Sequence, residues 1–264
     1  MVALPWSRER KCRAAPLGLS TNFRYLCCLR MPPRPTVLLF DVDGTLATTT
    51  GSGRRAIERV FLARFGHPNV MQGVDFGGMT DRAIARVGLR VVGRPTEGPE
   101  ADVAIDALLA DYLPLLDEEL DRAGSLRLHP GVLETLAALA GRPGIAVGLG
   151  TGNIRPGART KLTRLGIFDR FGFGGFGDDD EHRPTLLRIG ATRGAAALGV
   201  AVAACRVVVI GDTARDVAAA RAIQAESVAV GTSGADPAAL RASGATHAFE
   251  TLAAPGVLDA LLGG

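Results

Sequence analysis

Two hydrophobic patterns alternate along this chain: short uninterrupted apolar runs, and longer stretches with an apolar residue every third or fourth position. Thr36–Phe40, Ile145–Leu149 and Arg206–Ile210 are runs of the first kind. Being continuous, they suit strands buried on both faces of a parallel sheet. A further strand is expected at Ser227–Val230, and a strand-like stretch at Phe171–Phe176. The second pattern predicts a helix over 52–66, where Ile57, Val60, Phe61 and Phe65 share a face. It also predicts helices over 81–91, 101–123, 131–139, 158–165, 185–198, 217–223 and 237–241, with Arg94–Pro99 as a loop. Strands alternating with helices predict an α/β fold, a doubly wound, Rossmann-like parallel sheet. The helical block at about residues 50–125 reads as an inserted domain, leaving 34–49 and 126–264 as the core. Thr48–Gly53 is small, polar and glycine-rich, which suits a hinge between them.

Polar residues cluster where three of these strands end. Asp41 and Asp43 come after the first, Thr151 after the second, and Asp212 and Asp216 after the third. Loops at the carboxyl ends of neighbouring parallel strands share one crevice. Asp41 and Asp212 can therefore meet, although about 170 residues separate them. Two acids directly after a buried strand are costly without a partner. Gly44 permits the sharp turn that leads away from them.

Phe40-Asp41-Val42-Asp43-Gly44-Thr45, Gly150-Thr151-Gly152-Asn153 and Ile210-Gly211-Asp212-Thr213-Ala214-Arg215-Asp216 resemble the signature motifs of the haloacid dehalogenase-like phosphohydrolases. Order and spacing match over roughly residues 35–250, and the helical insert resembles that superfamily's mobile cap. The resemblance implies a phosphatase of the phosphoglycolate phosphatase type, acting on a small phosphorylated metabolite. Asp41 would be the nucleophile, forming an aspartyl-phosphate. Asp43 would protonate the leaving oxygen and later activate water. Mg²⁺, a hard oxygen-preferring cation, would be held by Asp41, the Asp43 backbone carbonyl, Asp212 and Asp216. Asp216 either ligates the metal directly or holds a metal-bound water or a cationic side chain. Thr151 would bind a phosphoryl oxygen, with Gly44, Thr45, Gly152 and Asn153 as its substrate-binding neighbours. The family also sets a cation beside the phosphoryl group. Two residues compete for that part: Arg183, ahead of Pro184, and Lys161, one helix turn further from Thr151. In the segment Gly77–Asp81, which resembles the cap loop facing substrate, Thr80 and Asp81 either read the leaving group or simply start a helix. Arg54 and Arg55 meet a substrate carboxylate or lie solvated. The acidic run Asp178–Glu181 is a solvated loop or the rim of the metal site.

Competing readings leave residues unexplained. Gly148–Asn153 resembles the glycine-rich loop of methyltransferases, but no acid precedes it and the four aspartates would have no role. Dehalogenation needs neither Asp43 nor Asp212. A sugar-phosphate mutase and a non-catalytic binding protein remain as alternatives on the same fold.

Composition sharpens the outline. The 264 residues, 47% hydrophobic, suffice for one large domain or a core with an insert. The net charge of +3 comes from residues 1–33, which carry +5 and leave −2 on the rest, so charge suggests no nucleic-acid partner. No run reaches the roughly 18–20 apolar residues of a membrane span. Residues 1–33 lack a secretory core and read as a disordered, non-essential leader, with Met31 as an alternative start. Their arginine-rich composition also suits an organellar transit peptide. Cys12, Cys27, Cys28 and Cys205 form neither a disulfide framework nor a zinc spacing, which suggests reduced thiols and a cytoplasmic protein. A monomer or small homo-oligomer is expected.

Overall fold

The computed structural model describes residues 34–124 and 126–263, so the expectations for the leader and for Cys12, Cys27 and Cys28 lie outside the described residues. Along the chain come β1 (Thr36–Phe40), β2 (Ala47–Thr48), α1 (Ser52–Phe65), α2 (Asp81–Val91), α3 (Gly98–Ala123) and β3 (Arg127–Leu128). Next are α4 (Val132–Leu139), β4 (Ile145–Gly150), α5 (Arg155–Arg164), β5 (Gly174–Gly175), α6 (Arg183–Ala197) and β6 (Arg206–Gly211). The chain closes with α7 (Ala214–Ala222), β7 (Glu226–Val230), α8 (Pro237–Ala242), β8 (His247–Phe249) and α9 (Val257–Leu262).

Six strands form one parallel sheet in the order β5-β4-β1-β6-β7-β8. The first strand in sequence thus lies inside the sheet, and the chain winds outward from it in both directions. Its continuous apolar character reflects that position. Leu38 and Phe40 pack on one face with Leu136, Leu162 and Leu261, while Val37 and Leu39 pack on the other with Leu186, Leu187 and Ala219. Register places Phe40 opposite Leu149 of β4 and Ile210 of β6. The residues just beyond these three strands therefore leave the sheet at one level, where such sheets form their crevice.

The helical block has its own apolar centre, including Phe61, Leu89, Ile105 and Leu116. Ile154, from the loop after β4, joins this cluster and carries the contact across to the sheet domain. β2 and β3 pair antiparallel, Ala47 with Leu128, and form the neck between the two. The segment expected to be a hinge thus begins in a paired strand and ends in the first turn of α1.

Several boundaries shift. α3, α5 and α6 begin earlier than hydrophobic periodicity indicates, and each has a proline in its first turn. Proline's missing N–H costs nothing there, so it marks a helix start. The loop expected at Arg94–Pro99 is correspondingly shortened, because Gly98 and Pro99 are already helical. α3 also runs on through Pro114. Of the strand-like stretch Phe171–Phe176 only Gly174 and Gly175 pair with β4. β8 and α9 are too short for their periodicity to announce them. Among the described residues no helix is long and apolar enough to cross a membrane. Cys205 is a buried free thiol.

Candidate active site

Asp41 leaves β1 with its N–H donated to Ile210 O (2.9 Å), which fixes its side chain between the ends of β4 and β6. The chain then turns sharply. Leu46 and Ala47 N–H both return to Val42 O, and Gly44 takes a left-handed φ of 79°. That turn presses Gly44 against Asp212: a Cβ there would lie 2.6 Å from the Asp212 Cγ. Gly44→Ala is expected to lower the thermal unfolding midpoint, because the left-handed backbone alone costs about 1–2 kcal/mol for a residue with a Cβ. It should also displace Asp212. A differential scanning measurement on the purified variant checks the first effect and a turnover assay the second.

Asp41, Asp212 and Asp216 come together. Each offers one carboxylate oxygen to a group whose members all lie within 4.8 Å of one another. All three are buried. Burial pushes Asp41 up to about 6 against the pull of Arg183. Burial, with the charges of Asp41 and Asp216, pushes Asp212 up to about 7. Thr45 Oγ1 donates to Asp212 Oδ1 (3.1 Å). Thr45 is fully buried and serves to hold Asp212; it does not line the cavity as a substrate-binding residue would.

Arg183, in the first turn of α6, lies with Nη2 3.1 Å from Asp41 Oδ2 and also contacts Asp216 Oδ1. These are charge contacts of poor alignment. Arg183 Nη2 and Nε, and Asp216 Oδ1, are buried without a well-formed hydrogen bond. The other Asp216 oxygen accepts from Thr213 N (3.0 Å) and Oγ1 (2.6 Å), closing a capping box on α7.

Lys161 sits elsewhere. Its ammonium, 3% exposed, donates to Asp43 Oδ2 (2.6 Å) and Asn153 Oδ1 (2.9 Å). Asn153 Nδ2 donates to the same Asp43 oxygen (2.9 Å), and Thr49 Oγ1 to the other (3.4 Å). Burial alone would raise the Asp43 carboxyl; Lys161, with Asn153 and Thr49, outweighs it and holds Asp43 below its ordinary range. Of the two competing cations, then, Arg183 stands beside Asp41 and Lys161 beside Asp43.

The loop after β4 serves two partners. Thr151, fully buried, donates its N–H to Gly175 O (3.0 Å) and accepts from Asn153 N at its hydroxyl (3.2 Å). Gly152 O accepts from Asp81 N, and Ile154 N donates to Asp81 Oδ2, both at 2.8 Å. Asp81 is therefore docked on the sheet domain, and burial pushes its carboxyl up to about 6. A Cβ on Gly152 would strike the backbone of Met79 and Thr80, so the helical block itself requires that glycine. Thr80 caps α2, accepting from Ala83 N (3.2 Å), and its hydroxyl donates to Glu181 O (3.2 Å); it does not line the cavity.

The acidic run 178–181 is a partly exposed turn in which each charge has a partner. Asp178 accepts from Arg155 N and Asp180 from His182 N, while Asp179 pairs with Arg193. Glu181 reaches across to Arg86 of α2 with contacts of 2.8–3.0 Å. Neither Arg54 nor Arg55 is simply solvated: Arg54 donates to Met71 O and Val74 O, and Arg55 pairs with Glu119. Asp41, Asp43, Gly44, Asp81, Thr151, Gly152, Asn153, Lys161, Arg183 and Asp212 all line one cavity of about 510 Å³.

The sequence model of the haloacid dehalogenase-like hydrolases matches residues 35–224. The chain belongs to that family. No curated relative matches the sequence. Among solved structures, a hydrolase from Pseudomonas syringae aligns with a TM-score of 0.62 at 22% identity, over 83% of this chain and 94% of that one. A predicted phosphoglycolate phosphatase from Haemophilus somnus aligns at 0.60 and 18%, over 87% and 99%. A protein assigned as a β-phosphoglucomutase from Thermotoga maritima aligns at 0.53 and 23%, over 86% and 98%. At these identities the likeness concerns the fold.

In this haloacid dehalogenase-like hydrolase the cavity also has walls that sequence reasoning missed. Tyr112 shares the buried face of α3 with Leu108 and Leu116, so its spacing reads as plain core, yet it lines the cavity. His129 comes directly after β3 and faces the same space; burial pushes its imidazole below the usual value, and its buried Nε2 has no partner.

Proposed function

We propose that this hydrolase removes phosphoryl groups from small phosphate monoesters, with Asp41 as nucleophile and Mg²⁺ as cofactor. The observation that carries the reading is the surroundings of Asp41. It ends a central strand and faces a cavity, with a guanidinium on one side and two further carboxylates on the other. Three buried carboxyls lie together, Arg183 contacts two of them, Asp41 and Asp216, and Asp41 and Asp212 are pushed toward neutrality. Such an all-oxygen, charge-crowded set suits a hard divalent cation. When bound, Mg²⁺ would draw off charge from the phosphoryl oxygens.

This chain's own residues would do the rest. A carboxylate oxygen of Asp41 attacks phosphorus as the bond to the leaving oxygen breaks, giving an aspartyl-phosphate. Arg183, whose buried Nε lacks a partner, and the Thr151 hydroxyl hold the transferring oxygens. Asp43 gives its proton to the leaving oxygen, then takes one from the water that splits the acyl phosphate. The ionised Asp43 held by Lys161 and Asn153 corresponds to the second, proton-accepting step. Release of phosphate from a panel of esters, with Mg²⁺ and with EDTA, tests the reading; turnover that persists in EDTA would overturn the metal's part. Interconversion of hexose phosphates without phosphate release would favour the mutase alternative, which the likeness to the Thermotoga maritima protein keeps in view.

Metal binding has a signature independent of activity. The folded pKa values of Asp41 and Asp212, about 6 and 7, lie above an ordinary carboxyl. The stability these groups contribute is full below about pH 4 and is lost as pH rises through about 6 to 7. The ionised carboxylates of Asp41 and Asp212, holding Mg²⁺, would regain it. The thermal midpoint is therefore expected to rise by several degrees on adding Mg²⁺ at about pH 7.5, and by much less at about pH 5. An equal rise at both pH values would count against these carboxylates as ligands.

A further inference from the structure

The cavity has two unlike halves. One holds Asp41, Thr151, Arg183 and Asp212. To the other the helical block contributes Ile57, Phe76, Met79, Ile84, Leu109 and Tyr112, together with Arg54 and Asp81. Among the described residues, the cations that line the cavity away from the free Nε of Arg183 are already engaged. Arg54 donates through both terminal nitrogens to Met71 O (2.7 Å) and Val74 O (2.5 Å), and its plane lies 4.1 Å over the Phe76 ring. Lys161 serves Asp43 and Asn153, and Arg183 serves Asp41 and Asp216. Burial, with the charge of Arg127, lowers the proton affinity of His129.

Besides the unpartnered Nε2 of His129, two polar groups of the helical block are left over. Asp81 uses Oδ2 to accept from Ile154 N, and among the described residues its other oxygen makes no hydrogen bond. The Tyr112 hydroxyl makes none either, and burial together with the charges of Asp81 and Asp43 keeps it protonated. A negatively charged leaving group would lose water here, meet no free cation, and face Asp43 and Asp81. An apolar alcohol would lose water at a gain. A donor on that alcohol would give the free Asp81 oxygen its missing bond, which hydrogen-bond accounting favours strongly in a buried site.

We infer that the preferred substrate is the phosphate monoester of an uncharged, largely apolar alcohol bearing a hydrogen-bond donor for Asp81. Phosphorylated carboxylic acids, including phosphoglycolate, and bisphosphates are disfavoured. This rests on the phosphatase reading and narrows it. The cavity, about 510 Å³, also has room for far more than a two-carbon leaving group.

Three esters test it on the full chain with Mg²⁺: 6-hydroxyhexyl phosphate, the equally long 5-carboxypentyl phosphate, and 2-phosphoglycolate. The first should have a kcat/KM at least tenfold above the other two. Met79→Lys, which adds a cation to a half-buried position of the apolar wall, should raise kcat/KM for the carboxypentyl ester severalfold while lowering it for the hydroxyhexyl ester. Wild-type turnover of either carboxylate ester as fast as the hydroxyhexyl ester would overturn the inference and leave the phosphatase reading standing. Absence of phosphate release from all three, and from p-nitrophenyl phosphate, would instead remove the phosphatase reading on which it depends.

Discussion

Asp41→Asn is expected to reduce phosphate release by about 10⁴-fold or more, the scale on which enzymes respond to loss of a covalent nucleophile. The amide cannot form the acyl phosphate, so phosphate trapped on the protein after an acid quench should vanish too. Unfolding would not account for the loss. Asp41 is one of three buried carboxyls crowded together, and its carboxyl is already pushed up to about 6. Removing that charge lessens the crowding, and Arg183 keeps Asp216 as a counter-ion. The thermal midpoint of the metal-free variant at about pH 7.5 should therefore equal or exceed that of the unaltered protein. A variant that is both inactive and markedly less stable would show that Asp41 is needed for the fold, and the nucleophile assignment would lose its support.

The second large effect is expected at Asp43. Asp43→Asn removes a proton donor and acceptor, worth typically about 10²- to 10⁴-fold. The loss should depend on the ester. An aryl phosphate leaves as a stabilised phenolate and needs little help from an acid, whereas an alkyl phosphate needs much. The ratio of alkyl to aryl turnover should therefore fall in the variant. The asparagine can still accept from Lys161 through its carbonyl, but the buried ammonium loses its counter-charge. A lowered thermal midpoint is thus expected alongside the kinetic change. An unchanged alkyl-to-aryl ratio would argue that Asp43 only holds Lys161 in place.

Much of this was legible in the sequence because the strands inside the sheet are buried on both faces. Thr36–Phe40 has no polar face to blur its pattern, and the residues at its carboxyl end must lie at the crevice. The grouping of Asp41, Asp212 and Asp216 results from that placement. The roles of the two cations were not legible in the same way. Lys161 and Arg183 each lie at a plausible distance along the chain from a motif; only the folded helices show which carboxylate each one meets. The acidic run 178–181 was opaque for a related reason. Its four charges look alike in sequence, but their partners are a backbone amide, an arginine of α6, another amide and an arginine of α2. Thr45 and Thr80 show the reverse limit. Each stands beside a motif, yet their hydroxyls turn to Asp212 and Glu181.

The loop after β4 touches the phosphoryl half of the cavity through Thr151 and the helical block through Gly152 and Ile154. On the proposed reaction, neighbouring peptide groups would answer to two different ligands, one chemical and one made of the protein itself. Equilibria that share such a loop are bound by reciprocity: whatever factor a phosphoryl group adds to the docking of Asp81, that docking adds to the grip on the phosphoryl group. Phosphoryl affinity and the docking of the helical block would then be a single quantity seen from two ends. A substitution in α2 that never meets the substrate would register as a change in its residence time.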